Sequence, residues 1–212
     1  MFSRPDRRII LPVRLRPGFS SASVQASLLS ALSIGRATFF SYFYTLLLFL
    51  KRRMELNSED RKFLKLAIET ASDNIKDQGG PFGAVIVMGG KIISRAGNRV
   101  VAGHDPTAHA EVQAIRVAAD AMGTHDLSGC VIYSSCEPCP MCLGAIYWAG
   151  IRRLVYASDR YKAAASGFDD EMIYAELALD HEKRSIVIDR GMIEEGDSVF
   201  REWDNFPDKV LY

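Results

Sequence analysis

Cysteine is scarce and confined: four in 212 residues, at positions 130, 136, 139 and 142. Crowding into thirteen positions, three of the four at three-residue intervals, suits metal binding better than a disulfide framework spread over loops. Thiolate ligands need reducing conditions, which places the working protein in the cytoplasm. An excess of one charge is also missing, with 26 Lys/Arg against 26 Asp/Glu. The balance is uneven along the chain: nine of the bases but one of the acids precede Met54, leaving 17 against 25 and a net −8 downstream. Gripping a phosphate backbone takes a basic patch, so the acidic module argues against tRNA or DNA and for a small, uncharged ligand. Long hydrophobic runs are short of the roughly 20 residues a spanning helix needs. The one membrane-like candidate is Thr38 to Leu50, which reaches that length only when extended back past Arg36 to Val24, giving residues 24–50. It ends in Lys51-Arg52-Arg53 with no small-residue cleavage site, a poor signal peptide. No internal repeat is present.

What is there suffices for one domain: 48% hydrophobic and 25% charged residues over this length bury a sizeable core. Residues 1–53 read unlike the rest, with an Arg/Pro start and a Ser/Ala stretch, while Met54-Glu55-Leu56-Asn57 looks like a natural beginning. The expected division is an N-terminal extension over 1–53, disordered or upstream of the true start, and a catalytic domain over 54–212 with a tail from about 192. Deleting 1–53 is expected to leave a soluble, active protein.

From Asn57-Ser58-Glu59-Asp60, a capping residue and first-turn acids lead a helix whose apolar positions are Leu64, Ala67, Ile68, Ala71 and Ile75, ended by Gly79-Gly80-Pro81. Phe82 to Met88, Gly89-Gly90 and Lys91 to Ala96 predict a β-hairpin, with Asn98 just beyond it. Asp105-Pro106 predicts a helix start running to about Met122. Strands follow at Cys130 to Ser134 and Arg153 to Ala157, a helix opens at the cysteine motif and runs to Trp148, another lies around Asp170 to Leu179, and Ile186-Val187-Ile188 predicts a last strand. Together these indicate an α/β protein, a three-layer α/β/α sandwich with a mixed central sheet.

His109, Cys139 and Cys142 form a ligand set suited to Zn2+, with a fourth tetrahedral position for water. His109 and Glu111 are two residues apart and converge only if their target lies off a helix end. Cys139 and Cys142 are one turn apart at the next helix start, where the exposed amides lower thiol pKa. In such a site the pKa of a water falls toward about 7, and Glu111, not used as a ligand, is placed to carry its proton to a leaving nitrogen. The chemistry indicated is hydrolytic deamination at an amidine-type carbon. Competing readings are a redox Cys-x-x-Cys pair, a site closed by Cys136 as fourth ligand, and a non-catalytic zinc-binding module, in which Glu111 has no duty. Cys130 reads as a buried strand residue, and His104, His125 and His181 as surface residues.

His109-Ala110-Glu111 with Pro138-Cys139-Pro140-Met141-Cys142 resembles the zinc-dependent cytidine deaminase superfamily. The longer strings Gly79 to Val85, Asp105 to Val112, Ser135 to Ala149 and Ala165 to Asp170 resemble the bacterial guanine deaminases of that superfamily, from about Leu56 to Tyr212. The resemblance implies guanine hydrolysed to xanthine and ammonia, one Zn2+ per subunit, and a purine site using Asn98, Ala110 and Asp170 with Phe82 and Trp148 as an aromatic wall. It further implies a homodimer whose swapped C-terminal segment brings Tyr212 over the partner's pocket. Guanosine deaminase is the alternative within this class, and tRNA adenosine deaminase a more distant one. No nucleic-acid partner is expected, and no membrane association unless residues 24–50 are an anchor.

Overall fold

The computed structural model describes Leu56 to Leu211. The extension over 1–53, the apolar stretch over 24–50 and Tyr212 lie outside the described residues. Among the described residues no helix is long and apolar enough to cross a membrane.

The first helix, α1 (Ser58–Lys76), starts as its capping residues require: Asn57 Oδ1 accepts the Asp60 N–H at 2.7 Å. The hairpin β1 (Gly83–Met88) and β2 (Lys91–Gly97) turns at Gly89-Gly90, both at positive φ. A single turn, α2 (Val100–Gly103), leads to α3 (Ala110–Met122), β3 (Val131–Cys136), α4 (Pro140–Trp148) and β4 (Arg153–Ser158). Beyond these come α5 (Arg160–Ala165), α6 (Glu171–Leu177), a 3-10 turn at His181–Lys183 and α7 (Ile193–Asn205).

The four strands lie in the order β2-β1-β3-β4, antiparallel across β2/β1 and β1/β3 and parallel across β3/β4. The central strands are apolar on both faces because both are covered. Val85, Val87, Tyr133 and Val155 meet Phe63, Leu64 and Ala67 of α1. Ala84, Ile86 and Ile132 meet Ala110, Ala114 and Ala118 of α3 and Ile146 of α4. That is the expected three-layer α/β/α arrangement with a mixed sheet, and each fully buried Ile or Phe contributes about 1.5–3 kcal/mol to it. Alanines on α3 let that helix approach the sheet closely, which brings its N-terminus to the end of β3.

Three expectations are corrected. The helix expected from Asp105-Pro106 begins at Ala110, because Asp105 Oδ1 takes the N–H and the hydroxyl of Thr107 at 2.8 and 2.6 Å and closes a turn instead of capping a helix. Ile186-Val187-Ile188 forms no strand, and Val187 is 85% exposed. Its β-branched residues favour extended backbone but supply no ladder partner, and a strand needs one. Ile75 is exposed, and the last buried position of α1 belongs to Asn74.

Candidate active site

Two helix N-termini converge at the end of β3. His109 and Cys139 occupy the N-cap positions of α3 and α4, both with extended backbone (φ −65°, ψ 154° and φ −63°, ψ 169°). Because His109 stands outside its helix, it and Glu111 in the first turn can face one target, which two mid-helix residues at that spacing cannot. Pro140, with its φ preset and no N–H to satisfy, opens α4 directly after Cys139.

His109 Nδ1 lies 3.6 Å from Cys139 Sγ and 3.5 Å from Cys142 Sγ. Across a tetrahedral zinc, with Zn–N about 2.0–2.1 Å and Zn–S about 2.3 Å, a nitrogen and a sulfur ligand stand about 3.6 Å apart. Donor types and spacing therefore both fit zinc, and among the described residues these three form the metal-ligating group. The cluster shares protons that a cation would displace: Cys139 is held down to about 4 by the thiol of Cys142 and by His109, His109 is raised by Cys139, and Cys142 is raised by Cys139. Cys136 does not close the set. Its Sγ points to the Asp159 carbonyl at 3.6 Å, and burial pushes its thiol up to about 11.

Glu111 is 4% exposed and is held by two donors, Ser134 Oγ to Oε1 at 2.7 Å and Cys142 Sγ to Oε2 at 3.3 Å. Burial raises its pKa. Ser134 reaches it because the β3 pleat sends Ile132 and Ser134 to the α3 face.

Beside these groups opens a cavity of about 500 Å³, lined by His109, Glu111, Cys139, Asn98, Phe82 and Asp170 among others. Asn98 is buried, and its Oδ1 accepts the Val100 N–H at 3.2 Å, which leaves its amide nitrogen for a ligand. Asp170 stands at the N-cap position of α6 without capping it; Asp169 Oδ1 takes the Glu171 N–H at 3.0 Å instead. Asp170 is thereby released to the cavity, where burial raises its pKa.

Ala110 and Trp148 are not among the residues that line this cavity. The Ala110 side chain is part of the core, and Trp148 ends α4, about 13.5 Å along the helix from Cys139 at about 1.5 Å per residue. Trp148 is 72% exposed and does not line this cavity. In its stead Phe168 meets Phe82 edge-on, with centroids 4.9 Å apart, and both line the cavity. Phe168 and Arg160 carry no periodic signal that marks them as cavity residues. Arg160 is held by its backbone N–H on Glu137 Oε2 at 3.1 Å and by its guanidinium 4.4 Å over the Tyr174 ring. Tyr174 in turn donates to the Pro138 carbonyl at 3.2 Å, which fastens this outer wall to the cysteine motif. Cys130 is buried, and His104, His125 and His181 are exposed, as expected.

A mixed sheet that aims two helix N-termini at a three-ligand zinc set, with a free buried carboxylate alongside, defines a hydrolytic zinc enzyme of the deaminase class. Residues 57–158 match the cytidine and deoxycytidylate deaminase zinc-binding region. The guanine deaminase of Bacillus subtilis (strain 168) is 48% identical over 151 residues, 71% of this chain and 97% of that protein. Its X-ray structure superposes with a TM-score of 0.71 at 46% identity, covering 74% of this chain and 99% of that one. A tRNA-specific adenosine deaminase of Agrobacterium fabrum is 43% identical over 109 residues, 51% of this chain and 71% of that protein. The chain belongs to the cytidine and deoxycytidylate deaminase family of zinc enzymes.

Proposed function

We propose that the protein is a guanine deaminase, hydrolysing guanine to xanthine and ammonia. The observation that carries this reading is the 48% identity to the Bacillus subtilis guanine deaminase over 97% of that protein's length. The acidic balance of residues 54–212 supports a free base over tRNA.

His109, Cys139 and Cys142 would hold the zinc, which when bound lowers the pKa of a water enough to make it a nucleophile near neutral pH. Guanine lies in the cavity against the Phe82–Phe168 pair, with Asn98 at the purine edge and Asp170 accepting from the N1–H or 2-amino side. The water oxygen bonds to C2 and the C2–N bond breaks. Glu111 takes the water's proton and returns it to the departing nitrogen, which leaves as ammonia. Its burial suits that traffic, because a carboxylate out of water holds a proton more readily. Ser134 fixes its orientation.

The working form in this reading is a cytoplasmic homodimer in which the C-terminal segment crosses to the partner. The apolar face of α7 supports it, since Val199 and Phe200 are exposed in the single chain. Tyr212, outside the described residues, is the proposed cover of the partner's pocket; removing the last few residues should lower turnover at unchanged zinc content.

The test offers guanine, guanosine, cytosine and adenine to zinc-loaded protein and follows ammonia. Guanine should be consumed fastest. Release from guanosine, adenine or cytosine in preference to guanine would overturn the reading.

A further inference from the structure

Asn74 lies in the last turn of α1, 7% exposed, outside every motif that marks the metal site. Its Nδ2 donates twice, to the carbonyls of Gly80 at 2.8 Å and Asn98 at 2.9 Å, and its main-chain carbonyl accepts the Gly79 N–H at 2.8 Å. Those partners belong to two separate loops, one carrying Phe82 and the other Asn98, and both loops line the cavity. The Asn98 N–H to Phe82 carbonyl bond at 3.1 Å joins the loops to each other. Asn74 itself does not line the cavity.

Two glycines are shaped to this side chain. A Cβ on Gly79 would stand 2.2 Å from Asn74 Nδ2, and one on Gly97 would stand 2.3 Å from its Oδ1. Neither glycine has a positive φ, so close approach, not backbone conformation, accounts for both. A primary amide is also the group the partners call for: two carbonyl acceptors face one NH2 with two donors. Aspartate has the same shape but would turn an oxygen toward both carbonyls.

We propose that Asn74 is a positioning residue for purine recognition, clasping the two rim loops so that Asn98 and Phe82 are held in place for the base. The proposal rests on the guanine reading of the site for its substrate, but the clasp itself can be tested without any substrate. Because Asn74 acts through Asn98 and Phe82, its effect belongs to binding: it tightens KM and leaves the metal and Glu111 undisturbed.

The experiment compares full-length, zinc-loaded wild type with Asn74→Asp and Asn74→Ala. Each variant is expected to raise KM for guanine about tenfold, the cost of losing two buried donors, with kcat within about twofold and zinc per chain unchanged. Combining Asn74→Asp with Asn98→Ala should raise KM by clearly less than the product of the two single effects, because part of the Asn74 effect runs through Asn98. Backbone amide hydrogen exchange should quicken at Gly79, Phe82 and Asn98 and stay unchanged in β1 and β3. A lowered melting temperature with unchanged KM, additive effects in the double variant, or unchanged exchange at those three amides would each overturn the proposal. Should wild type release no ammonia from guanine, the substrate reading falls, and the exchange result alone decides for or against the clasp.

Discussion

Tyr133 and Ser134 are neighbours on β3, and the pleat sends them to opposite faces of the sheet, where each donates its hydroxyl to a buried carboxylate. Tyr133 donates to Asp60 at 2.8 Å and Ser134 to Glu111 at 2.7 Å. From there the two carboxylates diverge. Asp60 also receives both terminal nitrogens of Arg153, at 2.7 and 2.6 Å, and that guanidinium holds its carboxyl below the ordinary range of 3.8. Glu111 receives the thiol of Cys142 instead, and burial pushes its pKa upward. A buried carboxylate neutralised by a fixed guanidinium has little use for a proton and serves as a brace tying α1 to β3 and β4. One with no guanidinium or ammonium beside it, next to metal ligands and a cavity, is placed to take a proton and pass it on.

The largest effect should come from the proton carrier. Glu111→Ala is expected to lower ammonia release by about 10²–10⁴-fold while metal analysis finds the same zinc per chain; undiminished turnover would make Glu111 a second brace. Arg153→Leu, on the other face, leaves Asp60 buried and unpaired. Urea unfolding should show a loss of about 2–4 kcal/mol, toward the low end because Arg153 is itself half-exposed, with KM for guanine unchanged in the folded fraction. If KM rose as well, the two faces could not be treated as separate. Ser134→Ala removes one donor to a charged group, worth about 1.5–3 kcal/mol, and should appear in kcat with stability and zinc content little changed; a loss confined to stability would put Ser134 with Tyr133.

The smallest effect is in pH. Since the folded pKa of Asp60 lies below its unfolded value, its contribution is complete above the unfolded pKa and is lost as pH falls through the folded one. Wild type should therefore lose stability to urea below about pH 4 more steeply than Asp60→Asn. Parallel curves would show that Asp60 is not the acid-sensitive brace.

Much of this site was legible in the sequence because its chemistry is local. His109 and Glu111 share one helix start, Cys139 and Cys142 another, and Pro140 announces the second. The first was misplaced by the Asp-Pro pair: Asp105 closes a turn on Thr107, and the same residues that cap a helix also make that turn. Trp148 belongs to a string that resembles the family, yet the length of α4 carries it away from the cavity of its own chain. Asp169 and Asp170 are equivalent as letters, and only the backbone of the α6 start shows which of them caps. Ile75 looked like core but is exposed, and the buried position beside it belongs to Asn74, which periodicity cannot foresee when a polar group is buried for its hydrogen bonds.

By itself the sequence determined the main strands and helices of the α/β/α layers and the residues of the zinc ligand set, and it singled out Glu111 as the candidate proton carrier, because caps, turns and ligand spacing act within a few residues. The tertiary structure alone decided which carboxylate is braced and which is free, that Phe168 closes on Phe82, and that Asn74 clasps the cavity rim. Those outcomes join residues distant along the chain, 24 positions for Asn74 and Asn98 and 73 for Asp60 and Tyr133, and no local preference encodes such a meeting until the sheet has brought the two ends together.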